Sequence, residues 1–326
     1  MDNRIVVVAG PTASGKTRLG IELARKLDGE IVSADSMQIY RRMDIGTAKA
    51  TAEERAAAVH HMLDVAEPDE NWSVARYVEE AGRCCDDIIA CGKLPIVVGG
   101  TGLYIDSLIS GLDFADNTSD NALRDRLGSE YDSLGGEAML TRLAQVDPER
   151  AAKLHPGDKR RIVRAIEIYM LTGKTITEHD RITAARPKRY DAARIVLNYA
   201  DRADLYARID ARVDEMEQAG LVDEVRRLLA SGLSPECTAM QAIGYKEIVA
   251  FLEGKTTERE AFDLIKQSSR RYAKRQLTWF GRWQDALRIV WDKVPDMEKA
   301  RRASTEFLHS RMYHNAEHPS DGCGTI

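Results

Sequence analysis

One segment near the start of the chain limits the possible folds more than any other, a glycine-rich loop between a strand and a helix. The loop is Gly10-Pro11-Thr12-Ala13-Ser14-Gly15-Lys16-Thr17, which fits the pattern G-x-x-x-x-G-K-[S/T]. It follows Ile5-Val6-Val7-Val8, a β-branched run that predicts a buried strand. It precedes an amphipathic segment, Lys16 to Leu27, that predicts a helix. This context favours a phosphate-binding loop in an α/β fold over a chance glycine turn.

The chemistry of such a loop is binding of phosphate groups. Successive backbone N–H groups form a cradle for anions, and the helix that follows adds the positive end of its dipole. We expect the Lys16 ammonium to contact terminal phosphate oxygens and the Thr17 hydroxyl to ligate Mg²⁺. The loop alone does not distinguish a nucleotide from another diphosphate.

The pattern of strands and helices extends the α/β prediction along the chain. Ile31 to Ser33 and Leu94 to Gly100 predict two further strands, and Val74 to Ala90 predicts a helix between them. This alternation is typical of a parallel sheet with helices on both faces. Ile195 to Tyr199 predicts another strand, and Asp204 to Ala230 predicts a long helix.

A helical stretch interrupts this α/β core. Helices are predicted over Ala122 to Leu127, Gly136 to Gln145 and Lys159 to Leu171, with no convincing strand among them. We therefore divide the chain into a first part of the core, a helical insertion, a second part of the core and a C-terminal extension: 1–115, 116–190, 191–295 and 296–326. The extension is rich in Ser, Gly, His and Pro towards its end, so we expect it to be largely disordered.

Composition excludes several other classes of protein. With 44% hydrophobic and 30% charged residues, the chain resembles neither a disordered nor a membrane protein. Its longest apolar runs fall far short of a membrane helix, and no N-terminal targeting pattern precedes the first strand. Five cysteines without C-x-x-C spacing argue against a disulfide framework or a zinc ribbon. We expect a monomer in the cytoplasm, with no membrane contact and no stable protein partner.

Two polar residues are predicted at the carboxyl edge of the sheet, Asp35 after the second strand and Thr101 after the third. In open α/β sheets this edge faces the ligand crevice, so both should lie near the phosphate loop. Asp35 is suited to bind Mg²⁺ or to act as a general base, and its alternative is a helix N-cap. The segment Gly99 to Gly102 is equally consistent with a tight strand-to-helix turn.

Taken together, these segments resemble the tRNA dimethylallyltransferases, also called tRNA isopentenyltransferases. The resemblance follows a consistent order over about 280 residues, which makes it far more specific than a lone phosphate loop. The matching motifs are Gly10 to Thr17, Asp35-Ser36-x-x-x-Tyr40, Met43 to Lys49, Val98 to Tyr104, His155-Pro156-x-Asp158-x-x-Arg161, Ile243-Gly244-Tyr245 and Tyr272 to Phe280.

The resemblance implies a reaction. A dimethylallyl group would pass from dimethylallyl diphosphate to N6 of the adenosine just 3′ of the anticodon, position 37 of the tRNA. The phosphate loop would hold the prenyl diphosphate with Mg²⁺, and Arg208 would help Lys16 and Thr17 to neutralise the leaving diphosphate. Asp35 would be the general base, and Thr101 would lie close to the reacting amine. Taken by itself, Arg208 is equally consistent with a solvated charge on a helix.

The resemblance also implies contacts with the anticodon arm of tRNA. The residues concerned are Asp35, Ser36, Met37, Gln38, Thr101, Arg124, Lys159, Arg160, Arg161, Ile162 and Val163. A further basic segment, Lys266 to Arg282, contains six basic residues and no acidic one. There we expect Arg270, Arg271, Lys274 and Arg275 to contact RNA, whereas Tyr272 and Trp279, seven residues apart, face inward. The alternative is a solvated helix with a core-facing aromatic side.

Two other functions remain open from the sequence alone. A P-loop kinase of a small metabolite would leave the helical insertion and the segment Lys266 to Arg282 without an obvious purpose. A nucleotide-dependent RNA-binding module without chemistry would leave Asp35 and Thr101 unexplained.

Overall fold

A parallel β-sheet forms the centre of the protein in the computed structural model, which describes residues 3–111 and 120–314. Within those residues the sheet has six strands in the order β3-β2-β4-β1-β5-β6, and every neighbouring pair is parallel. The strands are β1 Arg4–Ala9, β2 Gly29–Ala34, β3 His60–His61, β4 Leu94–Gly99, β5 Asp191–Tyr199 and β6 Leu287–Trp291. The two short strands, β3 and β6, were not predicted, because neither is a clear β-branched run.

The central strands are apolar on both faces because helices cover both. Val6 and Val8 of β1 pack in one cluster with Leu19 and Leu23 of the first helix. The intervening residue, Val7, is equally buried. Continuous apolar sequence of this kind is typical of strands inside a doubly covered parallel sheet.

The register of the strands aligns three loops of the predicted site. Ala9 lies opposite Gly99, and Ala34 also lies opposite Gly99. The phosphate loop, Asp35 and the segment that begins at Gly100 therefore leave the sheet side by side at its carboxyl edge. This is the position at which open α/β sheets bind ligands.

The helices fall into two compact units. Ser110–Arg189 form one unit, and the residues before and after it form the other. In the sheet-containing unit the helices are α1 Lys16–Leu27, α2 Ala52–Ala57, α3 Val74–Ala90, α4 Gly102–Ser110, α10 Arg202–Gln218, α11 Leu221–Ala230, α12 Tyr245–Leu252, α13 Glu258–Phe280 and α14 Met297–His314. In the helical unit they are α5 Asn121–Leu134, α6 Gly136–Val146, α7 Pro148–Ala151, α8 Lys159–Thr172 and α9 Ile176–Ala185.

The division corresponds closely to the proposed insertion at 116–190, and all three helices predicted there are present. The boundary drawn between 115 and 116 lies outside the described residues. Among the described residues, no helix is both long and apolar enough to cross a lipid bilayer.

The long helix predicted over Asp204 to Ala230 is wrong, because the chain forms two helices there. Gly220 separates α10 from α11 with φ 90°, a left-handed conformation that ends a helix and favours glycine. The apolar periodicity continues across the break, which is why periodicity alone predicted one helix.

The disorder expected after residue 296 is also wrong over residues 297–314, which form α14. Ala300, Ser304 and Leu308, spaced by four residues, are buried on one side of this helix. Ala300 and Leu308 belong to the same apolar cluster as Leu19 of α1. Polar residues between these positions hid the periodicity, and the rest of the predicted disordered tail, 315–326, lies outside the described residues.

Candidate active site

The lysine of the phosphate loop points back across that loop. Lys16 Nζ donates a hydrogen bond to the carbonyl oxygen of Pro11 at 2.6 Å, and Ser14 Oγ donates to the same oxygen at 2.8 Å. Burial, followed by the positive charge of Arg212, lowers the pKa of Lys16 to about 7, against the opposing effect of Asp35. The ammonium is thus short of negative charge, so a bound anion would stabilise it.

A cavity of about 90 Å³ lies beside the loop. Thr12, Lys16 and Thr17 line it from the phosphate loop and α1, Asp35 lines it from the end of β2, and Gly100 lines it from the end of β4. The structure therefore brings the predicted diphosphate ligands and the predicted general base to one cavity, as the strand register requires.

Asp35 forms a local turn, as the alternative interpretation expected. Its Oδ1 accepts hydrogen bonds from the backbone N–H groups of Met37, at 2.9 Å, and Gln38, at 3.3 Å. Both of these bonds go to Oδ1, and within the described residues Oδ2 accepts none. The two interpretations are therefore compatible, because one carboxylate oxygen fixes the turn while the other is left for a ligand.

Thr101 is bound to the same turn. Its Oγ1 accepts a hydrogen bond from the Ser36 N–H at 3.2 Å, and its own N–H donates to the carbonyl oxygen of Ala34 at 3.1 Å. Tyr272 lies nearby, and burial, followed by the charge of Asp35, raises the pKa of this tyrosine to about 12. Its hydroxyl thus stays protonated at neutral pH.

The remaining residues of the turn, Ser36, Met37 and Gln38, are half-buried. Gln38 Nε2 donates to the carbonyl oxygens of Thr47 and Ala48, each at 3.2 Å, and Gln38 lines the cavity together with Thr47. The turn is therefore fixed on its far side as well.

Two arginines on α10 face the phosphate loop, of which only Arg208 was predicted. Arg208 is exposed and lines a larger opening of about 1310 Å³ on the outer side of the loop, together with Lys16 and Thr17. Arg212 lies one turn further along and donates to Thr12 Oγ1 at 3.1 Å. It lines both cavities, and burial lowers the pKa of its guanidinium. The spacing of four residues from Arg208 is the signal that indicates Arg212 in the sequence.

Two further side chains support the phosphate loop from distant parts of the chain. Gln276 of α13 accepts a hydrogen bond from the Thr12 N–H at 2.9 Å. Trp291 of β6 donates its indole N–H to the carbonyl oxygen of Ser14 at 3.0 Å. Neither was predicted as a site residue, because such contacts arise only when the sheet is assembled.

The helical unit carries the predicted basic residues, but most of them are paired. Arg124 binds Glu167 through Nε and Nη2, at 3.1 and 3.0 Å, and Arg164 binds the same carboxylate at 2.9 Å. Lys159 binds Asp132 at 2.6 Å. Arg160 and Arg161 are exposed and form no ion pair with any described residue.

Ile162 and Val163 do not qualify as RNA contacts. Their side chains are 0% and 5% exposed and pack in the apolar core of the helical unit with Leu127 and Leu143. Buried side chains cannot reach RNA, so we correct the prediction for these two residues. Together with Ala165 and Ile166 they form the buried side of α8.

The basic segment of α13 has the expected two sides. Arg271, Lys274 and Arg275 are exposed. Arg270, which was predicted with them, instead binds Asp210 of α10 at 2.6 Å. On the opposite side, Trp279 donates its indole N–H to Asp106 at 2.7 Å, which confirms the inward orientation expected from the helical spacing.

Comparisons with known proteins identify the family. A family model described as IPP transferase matches residues 38–283, and one described as isopentenyl transferase matches residues 3–64. A curated tRNA dimethylallyltransferase from Caldanaerobacter subterraneus subsp. tengcongensis is 45% identical over 310 residues, covering 95% of this chain and 98% of that protein. One from an Exiguobacterium species is 48% identical over 313 residues, covering 96% of each chain. The chain belongs to the tRNA dimethylallyltransferase family.

Solved structures of similar proteins agree with this assignment. The tRNA isopentenylpyrophosphate transferase of Bacillus halodurans is 39% identical and superimposes with a TM-score of 0.71, covering 96% of this chain and 100% of that one. A eukaryotic dimethylallyltransferase acting on tRNA is 29% identical with a TM-score of 0.78, covering 95% of this chain and 80% of that one. These matches confirm the P-loop α/β fold and the prenyltransferase class, and they argue against the kinase and the non-catalytic RNA-binding module.

Proposed function

We propose that this enzyme transfers the dimethylallyl group of dimethylallyl diphosphate to N6 of the adenosine at position 37 of tRNA and releases diphosphate. One observation carries the proposal. The carboxylate of Asp35, the hydroxyl-bearing loop of Thr101 and the cationic phosphate loop meet at one carboxyl edge of the sheet, so a nucleophile and a diphosphate can be bound next to each other.

The diphosphate is bound by the loop N–H groups and by Lys16, with Arg212 and Arg208 on α10 beside it. Lys16 exchanges its bond with the Pro11 carbonyl for phosphate oxygens, which restore the negative charge that its surroundings lack. As the bond between C1 and the diphosphate oxygen breaks, these cations stabilise the charge that builds up on the leaving group.

The donor set fits Mg²⁺. Thr17 and Asp35 present oxygen atoms to one cavity, and oxygen atoms are the ligands that Mg²⁺ prefers. The Thr17 hydroxyl would hold the ion together with phosphate oxygens and water. When bound, Mg²⁺ would add positive charge beside the departing diphosphate.

Asp35 activates the nucleophile. The adenine amine is a weak nucleophile because its lone pair is delocalised into the ring. As N6 bonds to C1 and the diphosphate departs with the bonding electron pair, a proton passes from N6 to the Asp35 carboxylate. Oδ1 remains bound to the turn, which fixes the orientation of the carboxylate, and Thr101, whose Oγ1 is bound to the same turn, lies beside the amine.

The RNA is bound by exposed basic side chains, with Arg160 and Arg161 in the helical unit and Arg271, Lys274 and Arg275 on α13. Cations on a surface attract the phosphate backbone without reading its sequence. An anticodon-loop adenine is unpaired, so swinging it towards the cavity costs less than extruding a paired base.

Product analysis tests the proposal. A tRNA transcript is incubated with labelled dimethylallyl diphosphate and Mg²⁺, digested to nucleosides and examined by mass spectrometry. We expect the label on N6 of adenosine 37 and none on a matched transcript with guanosine at that position. Label on another nucleotide or on a small molecule would contradict the proposal.

Asp35→Asn tests the role of the carboxylate. The amide keeps the size and the turn hydrogen bonds but cannot accept the proton, so we expect single-turnover transfer to fall by ~100- to 10,000-fold while tRNA still binds. Asp69→Asn, the same change at an exposed position outside the cavity, is the matched control. A rate for Asp35→Asn within about threefold of wild type would eliminate the general base.

A further inference from the structure

Gln276 links two loops that are far apart in the sequence. Its Oε1 accepts a hydrogen bond from the Thr12 N–H at 2.9 Å, and its Nε2 donates to the carbonyl oxygen of Gly100 at 2.9 Å. The side chain is almost fully buried and lines the same cavity as Lys16 and Asp35. Both ends of one carboxamide are thus used, one on the phosphate loop and the other on the loop after β4.

The contact with Gly100 is close. A Cβ atom at residue 100 would lie 2.1 Å from Gln276 Nε2, far inside van der Waals contact. Only glycine therefore allows the carboxamide to reach this backbone. The Gln276 side chain therefore links the two loops through specific contacts at both ends of its carboxamide.

The neighbours of Gln276 on α13 hold the same loop. Tyr272, one turn before it, lies beside Thr101 and Gln276, and both side chains influence its pKa. Trp279, nearly one turn after it, packs its ring against Gly102. The three residues lie on one face of α13, and that face is directed at the segment from Gly100 to Gly102.

We propose that Gln276 is a positioning residue that sets the separation between the prenyl carbon and the adenine amine. The inference rests on the proposed function, in which the loop containing Thr12 holds the diphosphate and the loop containing Thr101 lies beside the amine. A single carboxamide between the two loops fixes the distance between the two reactants. Because a misplacement of about 1 Å can cost ~100-fold in rate, the bridge matters for the chemical step.

The test compares Gln276→Met with Gln267→Met. Methionine has a similar volume but neither donor nor acceptor, and Gln267 is an exposed residue of the same helix. Single-turnover transfer at saturating tRNA and dimethylallyl diphosphate measures the chemical step, and separate titrations with tRNA and with inorganic diphosphate measure binding. Thermal unfolding confirms that each variant is folded at the assay temperature.

We expect Gln276→Met to slow the chemical step by ~30- to 100-fold, with both dissociation constants within about threefold of wild type. Gln267→Met should match wild type. A wild-type rate in Gln276→Met would overturn the inference, and so would a loss confined to binding. Failure of wild type itself to prenylate adenosine 37 would instead contradict the proposed function.

Gln276→Glu provides a readout that a loss of packing would not change. As a carboxylate it can accept from Thr12 but cannot donate to Gly100, whereas the protonated acid can do both. The ratio of wild-type to variant rate should therefore fall as the pH is lowered from about 8 to about 6, since burial favours the neutral acid. A ratio that does not change with pH would show that donation to Gly100 is unimportant and would overturn the bridge.

Discussion

The cavity at the sheet edge and the basic surface of the helical unit differ in how many of their cations are paired with carboxylates. In the cavity, Lys16 and Arg212 form no ion pair with any described residue, and burial lowers the pKa of each. In the helical unit, Arg124, Arg164 and Lys159 are already neutralised by Glu167 and Asp132. We infer that the cations of the cavity are left unpaired so that they can bind the reacting diphosphate, whereas an RNA-binding surface can function with much of its charge internally paired.

Among the cations of these two regions, we expect the largest loss of activity for Lys16→Ala. Removing this cation leaves the charge on the departing diphosphate without its nearest partner in a partly dehydrated site. We expect kcat to fall by ~100- to 1,000-fold. Lys26→Ala, an exposed lysine of the same helix, is the control and should behave as wild type in the same steady-state assay. Normal turnover by Lys16→Ala would show that the phosphate loop does not bind the leaving diphosphate.

A smaller effect, on binding alone, is expected from Arg160 and Arg161. Replacing both by Glu should weaken tRNA binding about tenfold or more and reduce the log–log salt slope by ~1.4 to 1.8, since each lost phosphate contact removes ~0.7 to 0.9. Filter binding between low and physiological salt measures both quantities. Affinity for inorganic diphosphate should not change, and an unaltered salt slope would place the RNA surface elsewhere.

A substitution of Arg124 tests whether a paired cation of the helical unit contributes to stability rather than to RNA binding. Arg124→Gln removes one of the two cationic partners of Glu167, whose side chain is 0% exposed. We expect the free energy of unfolding to fall by about 1 to 3 kcal/mol, with a smaller effect on tRNA affinity. Arg126→Gln, at an exposed position of the same helix, should leave chemical denaturation unchanged. If Arg124→Gln were as stable as wild type but bound tRNA much more weakly, the main role of Arg124 would be RNA binding rather than its ion pair with Glu167.

The smallest expected effect is the uptake of a proton when diphosphate binds. With a pKa of about 7, Lys16 loses its proton in the free protein above neutral pH, whereas a bound anion favours the charged form. Binding of inorganic diphosphate at pH 8.5 should therefore take up as much as ~1 proton more in wild type than in Lys16→Met. Calorimetry in two buffers of different ionisation enthalpy measures this uptake. Equal uptake by both proteins would mean that Lys16 stays charged without a ligand.

The part of the site that could be predicted from the sequence is the part encoded locally. The phosphate loop, Asp35 and Thr101 each follow an apolar strand, and parallel strands align their carboxyl ends. Arg212 and Gln276 were missed because their partners, Thr12 and Gly100, lie more than 170 residues away, so only the folded chain brings them together.

The same distinction applies to the fold. The strongly periodic helix α3 was predicted to the residue, whereas the long strand β5 was predicted only over its second half, from Ile195 to Tyr199. In contrast, β6 was missed because its residues alternate between buried and exposed over only five positions, and its stability depends on pairing with β5. The helix α14 was missed because its buried stripe consists of small and polar residues as well as leucine.

We infer that the cavity performs the chemistry, whereas the unpaired arginines of the helical unit only bind RNA. Single-turnover transfer at saturating tRNA, measured side by side for wild type, Lys16→Ala and the Arg160→Glu, Arg161→Glu double variant, tests it most directly. We expect a rate within about threefold of wild type for the double variant and a loss of at least ~100-fold for Lys16→Ala. Comparable losses in both variants at saturation would contradict it.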